Sequence, residues 1–145
     1  GLVFCKDCSA VYYKKSWHHN LRNYKNLREN LPIKFFLCPA CKMIKNRQFE
    51  GEIIIKNIPS KIFSEIEHLT TIFSRRAYER DPMDRLIAIK KNKNEMVITV
   101  TENQLAVKIA KKIKDTFKKV DIKISYSPSP SDVAYVKLEF KSLKV

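Results

Sequence analysis

Two matched cysteine pairs constrain this chain more than any other feature. Cys5 and Cys8, in "FCKDCSAVYYKKSWHHN", are separated by two residues, as are Cys38 and Cys41 in "LCPACK", and these four are all the cysteines present. A Cys-x-x-Cys turn presents two thiolates from one tight knuckle, and two knuckles complete the tetrahedral set of a structural zinc site. The 29 residues between Cys8 and Cys38 exceed the span of a minimal ribbon, which predicts a segment inserted between the knuckles. Structural disulfides are disfavoured, because the chain shows no secretory context and its 145 residues can bury a core without staples. A thioredoxin-like redox reading needs one such motif opening a helix after a buried strand, and neither pair reads that way. One structural Zn2+ on Cys5, Cys8, Cys38 and Cys41 is therefore expected. Four thiolates saturate the ion, so its role is to hold together a segment with little apolar core. His18 and His19 raise a mixed Cys and His alternative; they read instead as surface groups, with Trp17 as the apolar cover of the ribbon.

The charge balance points to a polyanionic partner. There are 29 Lys and Arg against 15 Asp and Glu, a net charge of +14, which attracts polyanions and speeds their association. The first 50 residues are the denser part, with ten basic and three acidic groups. There Tyr12, Tyr13, Trp17 and Tyr24 alternate with Lys14, Lys15, Arg22, Lys25 and Arg28, combining stacking faces with phosphate-seeking charge as single-stranded RNA requires. The plainer alternative is a lysine-rich surface that only keeps the protein in solution.

From Gly51 the pattern changes to alternating elements. "EGEIIIKNI" reads as a strand, and Ser60 can cap a helix whose apolar residues, from Ile62 to Ala77, recur at three- and four-residue spacing until Asp81-Pro82. "RLIAIKKNKNEMVITVT" reads as a hairpin. Thr101 with Gln104 forms a capping box before a second helix carrying Lys108, Lys111, Lys112, Lys118 and Lys119 opposite its apolar stripe, a candidate phosphate track. Strands at Asp121–Tyr126 and "VAYVKLEF" follow, separated by "SPSPS". The expected fold class is α+β: a zinc ribbon over residues 1–50, then a ferredoxin-like βαββαβ domain over residues 51–145 with one extra C-terminal strand, its sheet antiparallel and its two helices on one face. Arg75, Arg76 and Arg80 are explained as partners of the first helix's C-terminal dipole. No phosphate loop, zincin or nucleophile-elbow motif occurs, and His68 is solitary, so no enzyme and no small-molecule substrate is expected. No apolar run approaches a bilayer span and the start lacks the order of a secretory signal, so a cytoplasmic protein without a membrane partner is expected.

With both parts read, the chain resembles the zinc-binding N-terminal module of the ribosomal large-subunit nuclear-export adaptor family, and more closely its short bacterial relatives. The resemblance rests on Cys5-x-x-Cys8-x-Ala10-Val11-Tyr12-Tyr13-Lys14 with Trp17, on Cys38-Pro39-Ala40-Cys41 with Ile44, Arg47 and Gly51, on Asp81-Pro82-Met83-Asp84-Arg85, and on Thr101-Glu102-Asn103-Gln104-Leu105-Ala106 with Ile109. It implies zinc on the four cysteines and contact with ribosomal RNA or the large subunit. Ser9 and Lys42 depart from the glycine that often follows such knuckles. The expected function is a zinc-ribbon RNA-binding protein; the alternatives are a protein-interaction adaptor with structural zinc and a thiol redox or metalloenzyme.

Overall fold

The computed structural model describes residues 1–25, 27 and 31–141. Its first part is a small sheet of four short strands, β1 (Leu2–Cys5), β2 (Val11–Tyr13), β3 (Ser16–His18) and β4 (Ile33–Phe36), in the order β3-β2-β1-β4. β1, β2 and β3 pair antiparallel, whereas β4 lies parallel to β1. The β2–β3 turn is Lys14-Lys15, with φ of 50° and 67°. Two-residue hairpin turns of this hand favour Asn-Gly, so two lysines stand where the backbone would prefer smaller residues. Helix α1 (Pro39–Lys45) follows β4 and was not anticipated, because seven residues are too few to show a helical period.

The second part runs β5 (Gly51–Lys56), a 3-10 turn at Ser60–Ile62, α2 (Phe63–Arg80), β6 (Leu86–Asn92), β7 (Glu95–Val100), α3 (Asn103–Phe117), β8 (Val120–Tyr126) and β9 (Ala134–Phe140). The fold is thus α+β, a zinc-ribbon-type module followed by a ferredoxin-like βαββαβ unit with one extra strand. That strand does not lie at the edge. The order is β6-β7-β5-β9-β8, so β9 sits between β5 and β8, parallel to the first and antiparallel to the second. The sheet is therefore mixed rather than antiparallel throughout. Burial explains the exchange: the inward residues of β9, Ala134, Val136, Leu138 and Phe140, are all buried and apolar, while Ile122 and Ile124 of β8 are only partly covered. The more apolar strand takes the place with neighbours on both sides.

Both helices cover the same face. Leu105, Ala106, Ile109, Ala110 and Ile113 of α3 join Ile66 of α2 and the inward residues of β5, β7 and β9 in one buried cluster. Each large aliphatic side chain buried there contributes on the order of 1.5–3 kcal/mol. Two local details differ from the sequence reading. Glu102, not Thr101, caps α3, its carboxylate accepting the Leu105 N–H at 3.0 Å. Thr101 is buried and its hydroxyl is committed elsewhere, donating to the Met83 carbonyl at 2.7 Å. Ser60 opens the 3-10 turn rather than α2, which starts without a side-chain cap.

At Gly51 α3 packs close against the sheet. A Cβ there would lie 2.6 Å from Ala106 Cβ and 2.8 Å from Val100 Cγ2, inside van der Waals contact. Gly51→Ala is expected to destabilise the domain by roughly 1–3 kcal/mol through overpacking. Urea unfolding checks this; an unchanged midpoint would show that the contact relaxes freely.

Candidate metal centre

The cysteines meet where the end of β1, the following turn and the start of α1 converge. After Cys5 the chain turns back through residues 6–8, closed by Ser9 N–H to the Cys5 carbonyl at 3.0 Å and Cys5 N–H to the Ala10 carbonyl at 2.7 Å. Ser9 adopts φ 65°, the left-handed conformation that glycine reaches at lowest cost, so the knuckle forms without glycine. In the second knuckle Cys38 is the N-cap of α1, its Sγ accepting the Cys41 N–H at 3.3 Å, and Lys42 is already helical, where glycine is not needed. Cys38 N–H donates to Cys5 Sγ at 3.2 Å and ties the two knuckles together.

The four Sγ atoms lie within 4.8 Å of one another, with Cys8 and Cys38 3.7 Å apart, and all four thiols are free. Metal–sulfur bonds of about 2.3 Å at the centre of a tetrahedron put the sulfurs about 3.8 Å apart, so the cluster is close to the size a metal ion requires. Cys5, Cys38 and Cys41 are buried, and Trp17, Leu37 and Met83 pack around them. Burial opposes ionisation of Cys5, but the N–H groups of Cys38, Cys8 and Asp7 outweigh it and bring the thiol down to about 6. Burial pushes Cys38 far up, and it pushes Cys41 up against the pull of Arg85. One thiolate forms readily; four anionic sulfurs in this space call for a cation among them. These residues can hold a metal ion.

The second domain reaches into the centre through the turn after α2. Asp81 Oδ1 accepts the Met83 N–H at 2.9 Å, and the turn delivers Met83 against the cysteines and Arg85 to Cys41, whose Sγ accepts from the guanidinium at 3.6 Å. Arg85 also lies 5.1 Å from the centre of the Tyr78 ring, and His19 stacks edge-on against that ring while hydrogen-bonding the Tyr78 carbonyl. Sequence reading missed Met83 and Arg85 as neighbours of the metal centre, and Tyr78 as the neighbour of Arg85. Asp81-Pro82-Met83-Asp84-Arg85 stood out as a motif, but nothing local signals a contact with Cys41, 44 residues away.

The histidines lie outside the cluster. His18 Nε2 is 3.0 Å from the Tyr13 carbonyl oxygen, and no histidine belongs to the metal-ligating group among the described residues. Trp17 covers the cysteines, with Tyr12 packed on its ring at 5.3 Å. Tyr13 and Tyr24 stack edge to face at 5.0 Å, and Lys14 Nζ stands about equally close to both rings, at 5.6 and 5.5 Å. Lys14, Lys15, Arg22 and Lys25 are exposed, and Arg28 lies outside the described residues. Lys108, Lys111 and Lys112 are exposed on α3, but Lys118 and Lys119 are not on the helix: it ends at Phe117, and Lys118 turns the chain with φ 64°. One further difference concerns Cys38-Pro39-Ala40-Cys41, which does open a helix after a strand. That strand is exposed, and Cys38 is completely buried with a raised pKa, the reverse of an accessible redox thiolate. No family model, curated protein or solved structure matches this chain.

Proposed function

We propose that this chain is a cytoplasmic zinc-ribbon protein that binds RNA, its targets being ribosomal RNA or the large ribosomal subunit. Zinc is the metal of choice for four thiolates in a closed set, and its role is to fold the first module. One observation carries the RNA reading. Lys14, Lys15, Arg22, Lys25, Lys108, Lys111, Lys112, Lys118 and Lys119 are all exposed, and none belongs to either ion pair found among the described residues, Lys91–Glu67 and Lys141–Asp121. Exposed cations, with Lys14 standing at the Tyr13 and Tyr24 rings, suit a phosphate backbone with unstacked bases. The motif resemblance to the ribosomal export-adaptor family supports the ribosomal target. No described helix is long and apolar enough to cross a membrane.

A protein-interaction adaptor is the second reading, favoured by β4, an edge strand on which Ile33, Phe35 and Phe36 are 54%, 66% and 56% exposed. Binding of single-stranded RNA and of heparin, with wild type and Tyr13→Ala, separates the two. RNA binding should exceed heparin binding, and Tyr13→Ala should cost roughly 1–3 kcal/mol of RNA affinity for the lost stack, with a smaller fall in stability from the lost Tyr13–Tyr24 contact. Equal affinity for both polyanions, with no effect of Tyr13→Ala, would move the assignment to the adaptor.

A further inference from the structure

The face of the larger sheet away from α2 and α3 carries a cleft that none of the residues discussed so far explains. It measures about 410 Å3, within the roughly 300–1,000 Å3 of small-molecule sites, and lies between the end of α1 and strands β5, β6 and β7. Ile44, Phe49, Ile87 and Val97 supply its apolar lining. Glu52 and Thr99, directly opposite one another in the β5–β7 ladder, line it as well, as do Arg47 and Lys90, which are exposed. Glu52, Arg47 and Lys90 belong to neither of the two ion pairs among the described residues.

Two irregularities of the backbone bring side chains to this place. Arg47 follows α1 with φ 54°, its N–H bonded to the Ile44 carbonyl and that of Gln48 to the Met43 carbonyl. This is the helix-ending turn in which glycine is the favoured residue, so arginine is held there against backbone preference. On the opposite side the β6–β7 register slips between Leu86 and Ala88, a bulge at Ile87, and both Ile87 and Ala88 line the cleft. Bulges re-aim side chains and concentrate beside functional sites.

The geometry points to a nucleotide-binding cleft, with guanine as the favoured base. An acyl chain or a simple anion would leave the Glu52 carboxylate covered and without a donor, which is costly. A base places its faces against Ile87 and Val97, offers N–H groups to Glu52, and leaves its phosphate to Arg47 and Lys90. Guanine presents two adjacent N–H donors, a match for one carboxylate. The inference rests on the RNA reading for one source of its ligand, a nucleotide within a strand; the other source is a free nucleotide.

Calorimetry on the metal-loaded full chain tests it with 5′-GMP, 5′-UMP and a guanosine-containing single-stranded RNA hexamer. GMP is expected to bind one per chain and about tenfold more tightly than UMP, the discrimination of a two-point base contact. Glu52→Gln should remove that preference, and Val97→Trp, which fills the cleft, should abolish binding. Arg47→Gly should weaken both nucleotides several-fold while leaving the unfolding midpoint unchanged or higher, a combination that a purely structural role for Arg47 does not produce. GMP bound without the hexamer would assign the cleft to free nucleotide and count against the RNA reading. Hexamer binding lost in Val97→Trp, without GMP binding, would assign it to a nucleotide within RNA. Hexamer binding unaffected by Val97→Trp and Glu52→Gln would overturn the cleft and leave the RNA reading standing, and a wild type that binds neither ligand would overturn both.

Discussion

Native metal analysis is expected to find one zinc ion per chain, and Cys38→Ser is expected to weaken its hold on that ion. The serine hydroxyl replaces the most buried of four thiols, at the point where Cys38 both ties to Cys5 and caps α1. Structural zinc contributes roughly 10–16 kcal/mol in small modules, so one ligand in four is worth about 3 kcal/mol, a loss of affinity on the order of a hundredfold or more. The consequence for the fold should be local. Amide exchange should quicken through β1–β4 and α1, whose buried apolar residues are few, while β5, β7 and β9 keep protection from their own core of Ile53, Ile55, Ile98, Val136 and Leu138. Loss of all cooperative unfolding in Cys38→Ser would mean that the two parts fold only together. Metal-free protein carrying a Cys5–Cys8 disulfide under reducing conditions would end the zinc reading and restore the redox one.

Replacing Lys108, Lys111, Lys112, Lys118 and Lys119 with glutamine should produce the largest change in RNA affinity. Each cation that neutralises a phosphate on a single strand releases counterions, so log affinity against log salt should flatten by about 0.7 for every lysine in contact. Affinity should fall most at low salt. Of these five only Lys108, Lys111 and Lys112 lie on α3, so the three-residue variant should account for the regular part of the effect, and adding Lys118 and Lys119 shows whether the turn after the helix shares the track. A salt titration of both variants decides it; an unchanged slope in the five-residue variant would exclude this face from the interface.

The sequence was informative wherever a residue's role depends on near neighbours. Cysteine spacing selected the cluster, two- and three-to-four-residue periods located the strands and long helices of the second domain, and the order of those elements gave its class. It was silent where role depends on competition between distant groups. Thr101 has the right spacing to cap α3, but the turn bearing Met83 and Arg85 claims its hydroxyl, and Glu102 takes the cap instead. The contact of Arg85 with Cys41 has no local signature at all. The place of β9 was partly readable, since four inward apolar residues suit a central strand, but alternation alone says nothing about which strands flank it.

The place of β9 also bears on the order in which the protein can be completed. A chain emerges from the ribosome from its N-terminus, so β5, the β6–β7 hairpin and β8 all exist before β9 does. Until β9 arrives, β5 has one open side and β8 has no hydrogen-bonded neighbour in the sheet. The strand that joins them works as a keystone: the five-stranded sheet, and with it the full floor under the basic helix α3, is complete only with β9 in place.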